Sequence, residues 1–513
     1  MNKQGRTDKV AKNSLTNVIG QGLQILLQFV SRTVFIYVLG KEYLGISSLF
    51  TNILTVLSVT ELGLGSAIAF SLYKPLADSD EKKIRALMQL YKKAYNIIGF
   101  VVLLLGIALI PVLPYLMKDT TDLVNIRLYY ILYLMQSVSS YWFFAYKATL
   151  LNADQKQYIY NIINYITLII GSVARIVILL VFKSFLIYTI CGILTNIFGN
   201  YAVSKRVDKL YPYLDGPSEQ LDKDDKTTLY KNVFSTSLYK VNSVIVSSVD
   251  NIVISSFISV VAVGFYGNYN LIVSSVESVL RLLISSIQAS VGNMYQTESA
   301  EKTEKVFRAV CFICFWIYGW CAICLGVLLN PFIELWVGEE YLFGSTTVMV
   351  IVIDFLTKGF QRPSIIYKDA CGLFWQGKFR PLITACINLF LSVLLAPKYG
   401  IAGIVLATIV SRFLTIWWFE PMLVYKHAFK KSVVGYFYRY FVGLGVTIII
   451  YLITDRLCSI FTGLGIVGFS IELVICSIIP NMLAFAIFRK TEEFAFVKEK
   501  ALCLVRSNSK RSH

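Results

Sequence analysis

Eleven ionisable residues interrupt stretches that are otherwise apolar: Arg32, Glu61, Arg175, Lys240, Asp250, Glu277, Arg281, Asp354, Lys358, Arg362 and Arg412. A charge at the centre of a membrane helix costs about 2.5–3.5 kcal/mol on insertion scales, so such residues point to function and to partners. Seven of the eleven are bases. A surplus of cations in a poorly screened site suits an anion, because guanidinium and ammonium groups bind phosphate oxygens well. Arg32, Lys240, Arg281 and Arg412 are the expected anion contacts, with Lys358 and Arg362 in support. The acids Glu61, Asp250, Asp354 and Glu277 are candidates for ion coupling, through a proton or a sodium ion, since burial raises the pKa of a carboxyl. Local pairing competes with both roles. Glu277 and Arg281 have the favoured order for an ion pair one turn apart, and Asp354, Lys358 and Arg362 form an i, i+4, i+8 column with one acid for two bases. Arg32 also ends a row of amides, Asn17, Gln21, Gln24 and Gln28, that falls within roughly 80° of one helix face. Gln21, Gln24, Gln28 and, further along, Asn251 are therefore added to the expected polar contacts of a substrate.

The elements that carry these groups are membrane helices. Hydrophobic residues make up 56% of the 513 and charged residues only 15%, against about 25% in a soluble chain. Apolar runs of about 20 residues, enough to cross a bilayer, recur throughout. They give about fourteen spans, near 14–39, 46–73, 94–117, 126–150, 158–182, 185–204, 232–258, 265–291, 307–329, 346–369, 379–396, 400–424, 434–454 and 465–488. The first has amides, an arginine and no small-residue cleavage site, unlike a signal peptide. Lysines and arginines crowd alternate loops, which places both termini in the cytoplasm. The net charge of +17 is thereby a topology signal, and nucleic acid is not an expected partner; anionic lipid headgroups are. Cys311, Cys314, Cys321 and Cys324 spread around one apolar helix, which reads as packing and not as a zinc site. There is no GxxxxGK[ST] phosphate loop, the only histidines are His427 and His513, and the outer loops are short. No metal, cofactor or enzymatic activity is expected.

The polar row repeats. Thr236, Lys240, Ser243, Ser247 and Asn251 follow Asn17, Gln21, Gln24, Gln28 and Arg32 at a constant offset (236 − 17 = 251 − 32 = 219), and the same offset sets Gly264 on Gly45 and the charged loop 293–307 on 74–88. A duplication of this kind is common among transporters. It divides the chain into an N-lobe at 1–204 (spans 1–6), a cytoplasmic linker at 205–231, a C-lobe at 232–424 (spans 7–12), and two extra spans with a cytoplasmic tail at 425–513. The expected fold is an all-α polytopic membrane protein with two six-helix lobes around a central cavity.

The stretch SRTVFIYVLGKEYLGISSLFTNILTVLSVTELGLGSAIAFSLYKPLA closely resembles the N-terminal region of the bacterial polysaccharide transporter family of flippases, within the multidrug/oligosaccharidyl-lipid/polysaccharide exporter superfamily. RPLITACINLFLSVLLAPKYGIAGIVLATIVSR resembles that family's eleventh and twelfth spans. The resemblance implies a carrier in the bacterial cytoplasmic membrane. It would move undecaprenyl-diphosphate-linked oligosaccharide, an O-antigen, capsule, exopolysaccharide or similar repeat unit, from the inner to the outer leaflet by alternating access. A polysaccharide polymerase and other assembly proteins are implied partners. Three alternatives stay open: a flippase for the lipid-linked peptidoglycan precursor, a multidrug exporter of the same fold, and a membrane glycosyltransferase or polymerase. Peptidoglycan flippases commonly carry an Arg-Asp pair in the first span, where this chain has Arg32-Thr33. Drug exporters favour an acidic cavity, and polymerases a large outer loop.

Overall fold

The computed structural model describes residues 3–61, 63–118, 125–217, 221–373, 375–377, 379–461 and 463–509. Side chains are described for these except 3–15, 59–60, 224, 228, 232, 234–236, 238–247, 285–290, 292–293, 295–297, 375 and 501–509. The described residues form helices and no strand. Eight stretches are long and apolar enough to cross a membrane, and two of them, Thr16–Leu57 and Arg380–Phe429, run through two expected spans each. The chain is a multi-pass membrane protein. It packs as two units, residues 1–267 and 268–513.

The N-terminal unit starts with α1 (Lys3–Leu57), which breaks at Gly40, where φ is 86°. Only glycine adopts that backbone without strain, so one continuous apolar run becomes two helices with almost no loop. A 3-10 turn, Ser58–Glu61, follows; Gly63, with φ 93°, then starts α2 (Leu64–Asp78). The expected second span is thus interrupted midway at an acid. Irregular backbone at membrane depth is tolerated only inside protein or beside a polar cavity, which foretells what surrounds Glu61. Asp80 caps α3 (Glu81–Leu109) through the Lys83 amide, and α4 (Leu113–Leu116) continues it. The expected fourth span is also broken: α5 (Ile126–Trp142) stops before Phe144, which has φ 63°, and α6 (Ala148–Ala153) resumes. Helices α7 (Gln157–Phe182), α8 (Phe185–Leu210) and α9 (Lys223–Phe257) complete the unit with the first turns of α10 (Val260–Thr297). α1 packs along α7 and α9, and α5 along α3 and α8.

In the C-terminal unit the rest of α10 precedes α11 (Ala300–Val337), capped by Ser299, and α12 (Ser345–Ala370). The long α13 (Arg380–Thr415) breaks at Gly400, with φ 61°, and not at the expected Pro397–Lys398. Glycine is the residue that can take this conformation, whereas Pro397 sits inside the helix. Short α14 (Phe419–Val424) leads to α15 (Val434–Cys458), α16 (Gly465–Phe488) and a tail helix, α17 (Glu492–Ser509). α11 is the hub, touching α12, α15, α16 and α17. Tyr318 fills the notch left by Gly359, where a methyl group would collide with the ring.

The offset of 219 recurs in the structure. Helix starts at Glu81 and Ala300 match, as do those at Ile126 and Ser345, and the caps Asp80 and Ser299 correspond. The break at Gly40 matches the gap between α9 and α10. Most directly, Gly45 lies against Gly264: a Cβ on Gly264 would stand 2.9 Å from the Gly45 nitrogen, and one on Gly45 would overlap the Val260 carbonyl. Ser48 likewise approaches its counterpart Gly267.

Candidate functional site

A cavity of about 520 Å³ opens within the N-terminal unit, and its lining is built from helical stripes of hydroxyls and amides. Along the second half of α1 the lining residues are Ser47, Thr51, Thr55 and Ser58, close to one residue per turn, with Glu61 in the break below them. α5 contributes Tyr133, Gln136, Ser137, Ser140 and Tyr141, an i, i+3, i+4, i+7, i+8 pattern that holds one helix face to the cavity. α8 adds Tyr188, Thr189 and Asn196, and α7 a single base, Arg175. Such a surface offers hydrogen bonds in many directions and one charge of each sign. Its size falls in the range of small-molecule sites, roughly 300–1,000 Å³, although those are lined mainly by apolar groups.

The two charges are held differently. Glu61 accepts a hydrogen bond from Tyr95 on α3, and Tyr141 and Ser58 lie alongside. Tyr95 is linked in turn to Tyr91 at 3.1 Å, and Tyr91 to Thr149 at 3.2 Å. Arg175 donates from Nε to the Gly171 carbonyl at 3.3 Å, and its guanidinium stands 5.6 Å from the centroid of the Tyr188 ring. That ring is fixed by Phe35, edge-on at 5.2 Å, and by Phe185. Tyr133 donates to Ser47 at 2.7 Å, tying α5 to α1. No described carboxylate forms an ion pair with Arg175.

Of the other expected site residues in this unit, Arg32 donates to the Gly264 carbonyl at 3.1 Å, next to the Gly45–Gly264 contact. Asn17 accepts from Asn161 on α7 at 2.7 Å, Gln21 and Gln24 are half-buried, and Gln28 is exposed. Asp250 and Asn251 are buried, and Asn251 donates to Asn52 at 3.1 Å. The side chains of Lys240, Thr236, Ser243 and Ser247 lie outside the described residues.

In the C-terminal unit three expected residues come together. Asp354 binds Lys358 at 2.6 Å on one carboxylate oxygen and Arg412 on the other. Arg412, only 8% exposed, also donates to the Thr408 carbonyl at 3.3 Å and to Thr357 Oγ1 at 3.2 Å. Glu277 and Arg281 stand 3.8 Å apart, and the arginine side chain is about half exposed. Arg362 is half-buried and forms no ion pair with a described residue.

The family model for polysaccharide biosynthesis proteins matches residues 10–291, more than half of the chain. The chain belongs to this family. No curated protein matches it by sequence. Solved structures share the fold of this polysaccharide biosynthesis protein at low identity. The lipid II flippase MurJ, in an inward closed conformation, aligns with a TM-score of 0.65 and 14% identity, over 93% of this chain and 98% of that one. An inward-facing multidrug resistance MATE family transporter of the MOP superfamily aligns at 0.61 and 13%, over 81% and 98%. A mutant of the Vibrio cholerae MATE transporter VcmN aligns at 0.59 and 15%, over 83% and 98%. The polysaccharide biosynthesis protein thus has the fold of these flippases and transporters.

The hydroxyl stripe on α5 was not among the expected site residues, although its spacing is plain once charge is set aside. Its counterparts 219 residues on are Val352, Phe355, Leu356, Gly359 and Phe360, and the four of these that bear side chains are 6% exposed or less. One helix face of the polysaccharide biosynthesis protein therefore lines a cavity in the first copy and is packed core in the second.

Proposed function

We propose that this protein is a flippase: it carries a polyprenyl-diphosphate-linked oligosaccharide from the cytoplasmic to the outer leaflet of a bacterial cytoplasmic membrane, by alternating access and without making or breaking covalent bonds. The observation that carries this reading is the combination of family membership with a fold shared over nearly its whole length with a lipid II flippase. The polar cavity supports it, since a sugar must leave water without losing its hydrogen bonds. Arg281 and Arg362 are the cations of the C-terminal unit best placed to meet a diphosphate, because Arg412 is already held by Asp354. A proton or sodium gradient drives the cycle, with Glu61 as the leading carboxylate, since it alone of the expected acids lines the polar cavity.

The test is transport by the purified protein in vesicles that contain a fluorescent polyprenyl-diphosphate trisaccharide, read by a membrane-impermeant quencher. Exchange between leaflets well above that of protein-free vesicles is expected, and a rate equal to theirs refutes the proposal. The fold match to a lipid II flippase favours a second reading, with the peptidoglycan precursor as cargo. Run as a competitor in the same assay, that precursor is expected to compete poorly.

A further inference from the structure

The cavity of the N-terminal unit has a charge pattern that restricts its ligand. Its lining holds one base, Arg175, and one acid, Glu61. Glu61 is engaged by the Tyr95 hydroxyl, while Arg175 is engaged only by a backbone carbonyl at Nε and by the face of Tyr188. A guanidinium paired with no carboxylate, on a helix that spans the membrane, leaves its terminal amino groups to find an anion or water. Around it stand the Tyr188 and Tyr133 rings and the hydroxyl stripe, a surface of aromatic platforms and hydrogen-bonding groups that suits a pyranose. A diphosphate, with two or more negative charges, would meet a lining whose formal charges sum to zero. A sugar carboxylate brings one charge, which matches the fork of a single arginine.

We infer that this cavity receives the sugar part of the lipid-linked unit and that Arg175 selects a repeat unit bearing a carboxylate, a uronic acid or a sugar of similar acidity. The inference rests on the flippase reading and deepens it. It also explains the asymmetry between the two copies of the duplication: the stripe that lines the cavity on α5 has become core on α12, so the sugar has a site in one unit only.

Two polyprenyl-diphosphate trisaccharides that differ at one group test this: one ends in glucuronate, the other in the glucose obtained by reducing its carboxyl. The wild-type protein in vesicles moves the acidic substrate faster. Arg175→Gln lowers the ratio of acidic to neutral transport by about ten-fold or more, the loss expected for a hydrogen-bonded charge pair. Arg175→Lys keeps the ratio within about three-fold of wild type. Equal losses on both substrates in Arg175→Gln, as a diphosphate contact or a packing role would give, overturn the inference; so does a wild-type ratio near one. A binding measurement that needs no transport separates the two readings. Free glucuronate at millimolar concentration is expected to raise the melting temperature of the wild-type protein, and glucose to raise it less. Stabilisation by glucuronate without leaflet exchange of either substrate refutes the flippase reading and with it the transport role of the site. Equal response to the two free sugars overturns the role of Arg175 whatever the transport result.

Discussion

The tightest arrangement of charge in the C-terminal unit, Asp354 between Arg412 and Lys358, gives a quantitative prediction. Asp354→Asn keeps the shape of the side chain and one acceptor oxygen but removes the negative charge. Breaking a buried pair by neutralising one partner costs about 3–5 kcal/mol, because the other charge stays buried alone. Arg412 meets that condition, with its side chain 10% exposed; Lys358, at 45%, does not and turns to solvent. The contacts of Arg412 with Thr408 and Thr357 survive, and the asparagine oxygen still accepts one bond, which recovers about 1 kcal/mol. The expected loss is therefore about 2–4 kcal/mol. Lys358→Ala should cost no more than about 1 kcal/mol, the value of an exposed pair. The assay is denaturant-induced unfolding in detergent micelles, followed by tryptophan fluorescence, for the two variants, for Arg412→Met and for the Asp354→Asn/Arg412→Met double variant. The double variant should recover part of the loss, with a coupling of at least about 1.5 kcal/mol. A loss below 0.5 kcal/mol for Asp354→Asn, or equal losses for Asp354→Asn and Lys358→Ala, would show that Arg412 does not depend on this carboxylate.

Other outcomes follow from the packing. Gly45→Ala drives a methyl group into the Val260 carbonyl, a backbone atom that cannot rotate away; a loss of about 1–3 kcal/mol is expected, at the upper end of overpacking costs, and can be read as a lower melting temperature. Tyr95→Phe removes the donor to Glu61 and should cost about 1–2 kcal/mol by the same unfolding assay, discounted because Glu61 lines a cavity. The tail helix α17 is tied to α11 by Glu493, which Arg308 holds at 2.6 Å. Burial raises the Glu493 carboxyl, yet hydrogen bonding and the charge of Arg308 outweigh it and leave the pKa below the usual value. A depressed folded pKa gives stability that is present above the unfolded value, about 4.3, and is lost as pH falls through the folded one. Limited proteolysis of α17 should therefore accelerate below about pH 4 and be fast at neutral pH in Glu493→Gln; protection that is independent of pH would contradict the assignment.

Sequence periodicity and length made most helices legible, because a bilayer demands about 20 apolar residues in a row whatever their tertiary partners. The duplication was legible too, since Gly45, Gly264 and the charged loops keep one offset. The interruptions at Ser58–Glu61 and at Phe144 were not. No proline marks either, and Phe144 adopts a left-handed conformation that only surrounding packing can impose. The cavity was missed because charge drew attention and hydroxyls did not: serine, threonine and tyrosine pass unnoticed in a hydropathy profile, and only their helical spacing on α5 reveals a face. Arg32 and Arg412 were read correctly as residues that need partners. The partners themselves, a carbonyl 232 residues away and an acid 58 residues away, follow from the fold and not from local sequence.

The contact between Gly45 and Gly264 has the form of an isologous interface. Each glycine meets its own counterpart, as residues do on the two-fold axis of a homodimer. A half-length ancestor would have met a second copy of itself at this point with one sequence position serving both sides, so any side chain larger than hydrogen there would have clashed twice. Fusion into a single chain released the two positions to vary separately, and both are still glycine in this protein.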